Sequence, residues 1–371
     1  MKQWNHWKTA ALSLLVLTGS TGRAAVLDRS GQGLGALFEE GRYMEVSLAQ
    51  VMPSVKGRDV QGGATGNVGG DHLLPSASVK FDANERLSFA FVADQPYGAK
   101  LHYDDSSRLL GGTSVDETSY GVLSLARYRL TDRFSIHGGV RVQSSSATVH
   151  LQGLAYGAVN GYQVRFSTDT AAGAVAGMAY EVPDIALRVV ATYHDAITHQ
   201  LDTRETAPLA ALNGSSRTSI TMPRAVNLDF QTGVATDTLL FGQLRWVNWS
   251  EFHVAPARFF AVVGDGLVNV TDSRTWNLGL ARRFSPHWSG AFSLSYEASN
   301  DGFSSSLSPV NGRKGMTLAA IYGVDKMKVT VGLNYTQLGD ARLATGTPGT
   351  ERALMSGNSS LGLGLKVGWS F

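Results

Sequence analysis

Alternation of apolar and polar residues with a period of two runs through this chain almost from end to end, and no other feature restricts the fold so strongly. In its last twelve residues Leu361, Leu363, Leu365, Val367, Trp369 and Phe371 share one face, and Ser360, Gly362, Gly364, Lys366, Gly368 and Ser370 share the other. Successive strand side chains point to opposite faces, so such a segment offers one face to an apolar medium and one to a polar medium. It is also longer than an ordinary globular strand of about five or six residues. The same pattern sets Val329, Val331, Leu333 and Tyr335 against Thr330, Gly332, Asn334 and Thr336. It recurs over residues 133–143 and 187–194, and strands are expected near residues 42–56, 75–82, 86–97, 118–130, 168–182, 220–235, 237–250, 274–284, 288–298 and 313–324. The total is about fourteen, an even number that suits a bacterial transmembrane barrel.

The connections carry an independent signal. Short links at residues 82–85, 131–132, 182–184, 235–237, 285–287 and 324–326 alternate with long ones near 57–74, 98–117, 144–167, 198–219, 251–273, 299–312 and 339–356. The long links are rich in Gly, Ser, Asp and Asn, as solvated loops are. One rim of tight turns and one of large loops is the polarity of an outer-membrane barrel, with turns in the periplasm and loops outside. A soluble sandwich has no reason to sort its loops this way. The expected fold is therefore all-β, a transmembrane antiparallel barrel spanning residues 42–371.

Composition agrees. Charged residues are 17% of the chain, against about 25% in soluble domains. Mean hydropathy is near zero, and only one long apolar run exists, so spanning helices do not account for it. That run, Thr9 to Thr18, follows Lys2 and Lys8 and precedes the small residues around Ala24. It is too short to cross a bilayer, which takes roughly 20 residues, and it has the layout of an export signal over residues 1–24. Aromatics near strand ends, among them Tyr43, Tyr128, Trp276, Trp288 and Tyr322, suit interfacial girdles. There is no Cys and the net charge is +2, which excludes disulfides and thiolate chemistry and gives no reason to expect nucleic acid.

The interior expected from the alternation is unlike that of a water-filled pore. Val190, Phe241, Val247, Ala319 and Ile321 are apolar inward positions, interspersed with Arg141, Arg188, Arg245 and Lys366. An apolar lumen with isolated cations can hold an amphiphile, its chain worth about 0.8 kcal/mol per buried methylene and its carboxylate oriented by a guanidinium. The alternative is that each Arg is bonded to a neighbouring acid. In the third expected strand Leu87, Phe89 and Phe91 alternate well, and then Asp94, Gln95, Pro96, Tyr97 and Gly98 break the pattern. Pro96 removes a ladder donor, so this stretch is either the strand's outer end or a kink that opens a gap in the wall.

At this point the chain resembles the FadL-type long-chain fatty-acid transporters of the outer membrane. The likeness is carried by residues 91–103 (FVADQPYGAKLHY), Met222-Pro223, residues 244–252 (LRWVNWSEF), residues 322–335 (YGVDKMKVTVGLNY) and the closing Gly-Trp-Ser-Phe. The resemblance implies a fourteen-stranded barrel with a small N-terminal hatch in its lumen, here residues 25–41. It further implies capture by extracellular loops, passage to an inner apolar pocket, and lateral exit at a kinked third strand, here Asp94 to Gly98. The capture loops correspond to residues 144–167 and 198–219, with Leu151, Leu154, Tyr156 and Tyr162 giving the first an apolar surface. The Asn-Pro-Ala sequence common in the family's hatch is missing, and the segment is short.

Catalytic spacing is absent. There is no Gly-x-Ser-x-Gly elbow, His-Glu-x-x-His helix or phosphate loop, and Ser135 and His137 make a poor nucleophile–base pair. The expectation is thus a monomeric, non-enzymatic protein of the Gram-negative outer membrane, without cofactor or metal. Its partners are membrane lipids and a long-chain fatty acid or other hydrophobic compound, which it passes by passive, binding-driven diffusion. The alternative is a structural or adhesive barrel whose loops bind a surface ligand.

Overall fold

The computed structural model describes residues 27–347 and 349–371; the expected signal peptide lies outside them, as do the first two residues of the expected hatch. The chain forms a closed, fourteen-stranded antiparallel barrel. The strands are β1 (Tyr43–Ser54), β2 (His72–Asp82), β3 (Leu87–Asp94, then Gly98–His102), β4 (Ser114–Arg129), β5 (Phe134–Leu151), β6 (Tyr162–Val182), β7 (Leu187–His194, then Ile197–Thr206), β8 (Gly214–Met222, then Ala225–Ala235), β9 (Thr238–Val247), β10 (Ser273–Arg283), β11 (Trp288–Glu297), β12 (Arg313–Val324), β13 (Met327–Leu338) and β14 (Asn358–Ser370). Each pairs with its sequence neighbour, and β14 closes on β1 from Tyr43↔Ser370 to Ser54↔Ser359.

Alternation decides which way each side chain points. Met44, Val46 and Leu48 on β1, and Leu361, Leu363 and Leu365 on β14, lie exposed on the outer wall, where lipid covers them; Glu45, Ser47 and Ala49 face inward. Trp276, Trp288, Tyr128 and Tyr322 are on the outside, as interfacial aromatics should be. Tyr43 is not: it points inward, 3% exposed, and its hydroxyl donates to Glu45 Oε2 at 2.9 Å. The periplasmic turns are short. Two of them place Asp237 (φ 55°) and Asp325 (φ 51°) in the left-handed region, which short polar side chains tolerate by bonding locally.

The middle staves stand taller than the sequence pattern suggests. β5 runs on to Leu151 and β6 starts at Tyr162, so the expected loop at 144–167 shrinks to residues 152–161; the one at 198–219 shrinks to 207–213. The reason is physical. Above the bilayer the outer face meets water, so Thr198, Gln200, Asp202 and Arg204 point outward while Ile197, His199, Leu201 and Thr203 point in. Alternation persists there, but with polar residues outside it reads as a solvated loop.

The remaining extracellular segments build a cap. Short strands Gly57–Asp59, Ser304–Ser305, Ala341–Ala344 and Glu351–Met355 form a separate four-stranded sheet. Val68, Tyr103, Leu110, Tyr156, Leu343 and Met355 pack beneath it in one apolar cluster, which closes the mouth of the barrel.

Candidate functional site

The wall is interrupted at one place that the sequence marks. β3 leaves regular pairing after Asp94 and resumes at Gly98, so the Pro96 segment lies within the strand and not at its end. Below the break β3 pairs with β2 from Asp82↔Ser88 to Ala77↔Ala93. Above it the upper half of β3 pairs with β4 alone among the described strands, and His72–Ser76 of β2 keep β1 as their partner. The two edges meet again only at the Gly69↔Leu101 bridge, where Gly70 N donates to Lys100 O and His102 N to Val68 O. The β2–β3 ladder is therefore interrupted between these two points.

The first described residues of the chain lie along this break as an extra piece of strand. Asp28 bridges to Tyr97, Arg29 N donates to Pro96 O (2.9 Å), and Gly98 N donates to Leu27 O (2.9 Å). Side chains reinforce the seam: Ser30 Oγ donates to Asp94 Oδ2 at 2.7 Å, and Arg29 Nη1 to Gln95 Oε1 at 3.2 Å. Gln32 Nε2 donates to the hydroxyl of Tyr97 at 3.2 Å. Gly98 has a specific role here, because a Cβ at this position would fall 2.3 Å from the Arg29 guanidinium. Ala99 lines the lumen, so Arg29 rests on the opposite face of the strand.

Below the cap and level with the kink lies a polar belt. Arg245, 3% exposed, forks onto Asp28 (2.7 and 3.2 Å) and donates to Asn227 Oδ1 (2.8 Å). Arg141 Nη1 donates to Asp94 Oδ1 at 2.6 Å, while its Nε and Nη2 make no hydrogen bond. Arg188 donates to Gln231 Oε1 at 2.9 Å and lies over the Phe38 ring at 4.8 Å. The three guanidiniums expected to orient a ligand are thus tied to the protein's own groups, which offsets the large cost of burying an unpaired charge.

Further down, residues 34–38 fill the lumen. Leu34, Leu37 and Phe38 pack with Ala90, Val92, Leu123 and Val190, and Arg127 and Arg188 flank Phe38 at 4.5 and 4.8 Å. Arg127 also pairs with Glu181. Burial pushes the Glu39 carboxyl above its ordinary range despite Lys328, whose Nζ is 3.6 Å away. Val190 is therefore covered by the N-terminal segment, Phe241 packs with Leu239, Ala281 and Ala291, and Ile321 is half-buried outside these clusters. The structure does not gather these three into one pocket.

What it gathers instead is an apolar cavity of about 70 Å³ in the upper lumen beside the β3 break. Its wall comes from Ala99, Val115, Val149, Phe166, Leu201 and Ile220 on the strands, and its roof from Phe252, Val254, Leu267 and Val268 in the connection after β9; Leu27 closes one side. A register shift between Ser145 and Ala147 interrupts the β5–β6 ladder at this wall, as bulges do where a strand must re-aim its side chains. The polar groups in the lining are Glu117, Ser145 and Ser146, and no cation contributes.

The residues expected to form a capture surface do other work. Leu151, Tyr156 and Tyr162 are buried in the cap cluster, with Tyr156 bonded to Ser306 (2.9 Å) and Tyr162 donating to Glu205 Oε2 (2.9 Å); Leu154 alone is exposed, at 57%. Glu205 also accepts from Arg258 N (3.0 Å) and Phe259 N (2.8 Å), anchoring the short helix Ala257–Val263 that lies between the two halves of the cavity's roof. Glu117 and Glu205 carry no sequence signal of their own, since each sits among other polar residues and only register turns it inward.

Residues 38–371 match the profile of the family described as outer membrane protein transport protein (OMPP1/FadL/TodX). The chain belongs to this family. It is a transport barrel of the outer membrane, not an enzyme. Among solved structures it is similar to a Pseudomonas aeruginosa FadL homologue, with a TM-score of 0.74 at 14% identity over 96% of this chain and 99% of the other. The P. putida toluene transporter TodX gives 0.65 at 13% identity over 96% and 97%, and the Ralstonia pickettii toluene transporter TbuX gives 0.63 at 15% over 96% and 99%. No curated protein sequence matches the chain.

Proposed function

We propose that this family member passes small, uncharged hydrophobic molecules by passive, binding-driven diffusion, with the upper-lumen cavity as the resting site and the β2–β3 window as the lateral exit. The observation that carries the reading is the cavity itself, apolar on nearly every side, free of cations, and next to the broken strand. Residues 27–41 act as the hatch. They fill the lower lumen around Phe38 and present Arg29 to the window, so the sideways route is the shorter one to lipid. Toluene transporters are among the structural neighbours, and toluene is a small, uncharged, apolar molecule of this kind.

A second reading, a long-chain fatty acid, is favoured by one observation. Arg141 keeps two donor atoms, Nε and Nη2, buried without a partner, and a carboxylate accepts from such a pair. The test is uptake of radiolabelled toluene and oleate by cells with and without the protein. Toluene uptake that depends on the protein, with oleate unaffected, supports the first reading; the reverse pattern, weakened by Arg141→Ala, supports the second. For the exit, Pro96→Val restores a ladder donor and a strand former at the break, and uptake should fall severalfold while the barrel still assembles. Unchanged uptake in that variant removes the window from the route.

A further inference from the structure

We propose that Glu117 makes the cavity selective for apolar molecules that carry one hydrogen-bond donor, a hydroxyl or an amine, and selective against carboxylates. The inference deepens the proposed function and rests on the cavity being the ligand site. Glu117 projects from β4 opposite Ala99 into a lining that is otherwise almost wholly apolar. Its Oε1 accepts from Ser145 Oγ at 3.3 Å. Its Oε2 is buried and has no hydrogen-bond partner of ordinary geometry, although the Ala99 amide lies close enough to act on the carboxyl.

A buried acceptor without a donor is costly, and a fold that needed only a greasy pocket would place Leu or Val at this inward position, as it does at Val115 and Val149. Arg29 acts on Glu117 through space, but its guanidinium bonds to Gln95 and leaves Oε2 unoccupied. A guest with an O–H or N–H satisfies Oε2 while its hydrocarbon body contacts Phe166, Leu201 and Phe252. A guest with a carboxylate has no hydrogen to give Oε2 and finds no cation in the lining.

Four molecules that share a tolyl body and differ in the para group separate these effects: toluene, p-cresol, p-toluidine and p-toluate, each radiolabelled and measured by equilibrium dialysis against the full-length protein in detergent. Wild-type protein should bind p-cresol and p-toluidine about threefold to tenfold more tightly than toluene, the span expected for one buried hydrogen bond, and p-toluate most weakly. Glu117→Leu should hold toluene within about twofold, a change below 0.5 kcal/mol, and abolish the advantage of p-cresol. Glu117→Gln keeps an acceptor at this position, so it should retain the p-cresol preference. Toluene binding as tightly as p-cresol in the wild type, or a p-cresol advantage that survives Glu117→Leu, overturns the proposal while leaving the cavity as the ligand site. Binding of none of the four overturns both.

Discussion

Replacing Asp28 with Ala should release the N-terminal segment from the kink. Arg245 holds Asp28 through two bonds, at 2.7 and 3.2 Å, and both side chains are nearly inaccessible to solvent, so salt and water screen the pair little. Removing one partner of a buried pair typically costs about 3–5 kcal/mol, because the remaining charge is stranded. Asn227 still accepts from Arg245 at 2.8 Å, which places this case at the lower end. A loss of about 3 kcal/mol raises the released population by roughly a hundredfold.

Two amides report the release directly. Arg29 N–H bonds to Pro96 O and Gly98 N–H to Leu27 O, and both exchange with solvent only when the segment lifts. Their exchange should speed up by about a hundredfold in Asp28→Ala, whereas amides in the β12–β13 ladder should not change. The double variant Asp28→Ala with Arg245→Met carries no stranded charge, so it should recover to within about tenfold of wild type. If the single variant accelerates exchange less than threefold, or if the double variant is as fast as the single, the Arg245–Asp28 pair is not what seats the segment.

Two further outcomes follow from the extracellular side. Glu205→Ala deprives Tyr162 and the first amides of the Ala257–Val263 helix of their acceptor, so exchange in residues 257–263 should rise by at least about tenfold, the effect of losing a bond to a charged group; protection equal to wild type there would show that the helix is held by packing alone. Asp59 gives a pH dependence: burial alone would raise its pKa, but hydrogen bonds from the Ser107 hydroxyl and from the amides of Gly63, Gln61 and Leu109 outweigh burial and hold it below the ordinary value. A depressed folded value stabilises the cap above the unfolded pKa of about 3.9 and loses that contribution as pH falls through the folded value. Exchange protection around residues 57–63 and 104–109 should therefore be level at neutral pH and drop below about pH 4, and a loss that begins near pH 6 would contradict the assignment.

The parts of the fold legible in the sequence are those where lipid dictates residue type. β14 and β13 could be read because every outward position in the bilayer must be apolar, and the Asp94–Gly98 break stood out because Pro96 cannot sit in a regular ladder. The tops of β5 to β8 could not be read the same way, since water on the outside erases the apolar face. Inward direction was readable for Arg141, Arg188 and Arg245, but not their partners: Arg245 meets Asp28 from 217 positions away, and Arg141 meets Asp94 from 47. Such pairings are set by closure of the barrel, and alternation carries no information about them. Tyr43 shows the converse limit, because an aromatic at a strand end satisfies the girdle pattern whether it faces lipid or a lumenal carboxylate.

Leu27, Asp28 and Arg29 join three features that would otherwise be separate. Leu27 forms part of the cavity wall, Asp28 holds the polar belt through Arg245, and Arg29 occupies the window side of Gly98. The bonds from Gly98 N to Leu27 O and from Arg29 N to Pro96 O make the three residues one short strand. Backbone pairing of this kind does not stretch residue by residue. An occupant that displaces Leu27 must therefore also loosen Arg29, and the position most sensitive to filling the cavity is the one that stands between the cavity and lipid. Arg29→Ala consequently should speed the lateral step without changing the affinity for toluene, because Arg29 does not line the cavity and toluene makes no polar contact with Glu117. A large drop in affinity in that variant would mean that the guanidinium shapes the pocket itself, and the coupling argument would fail.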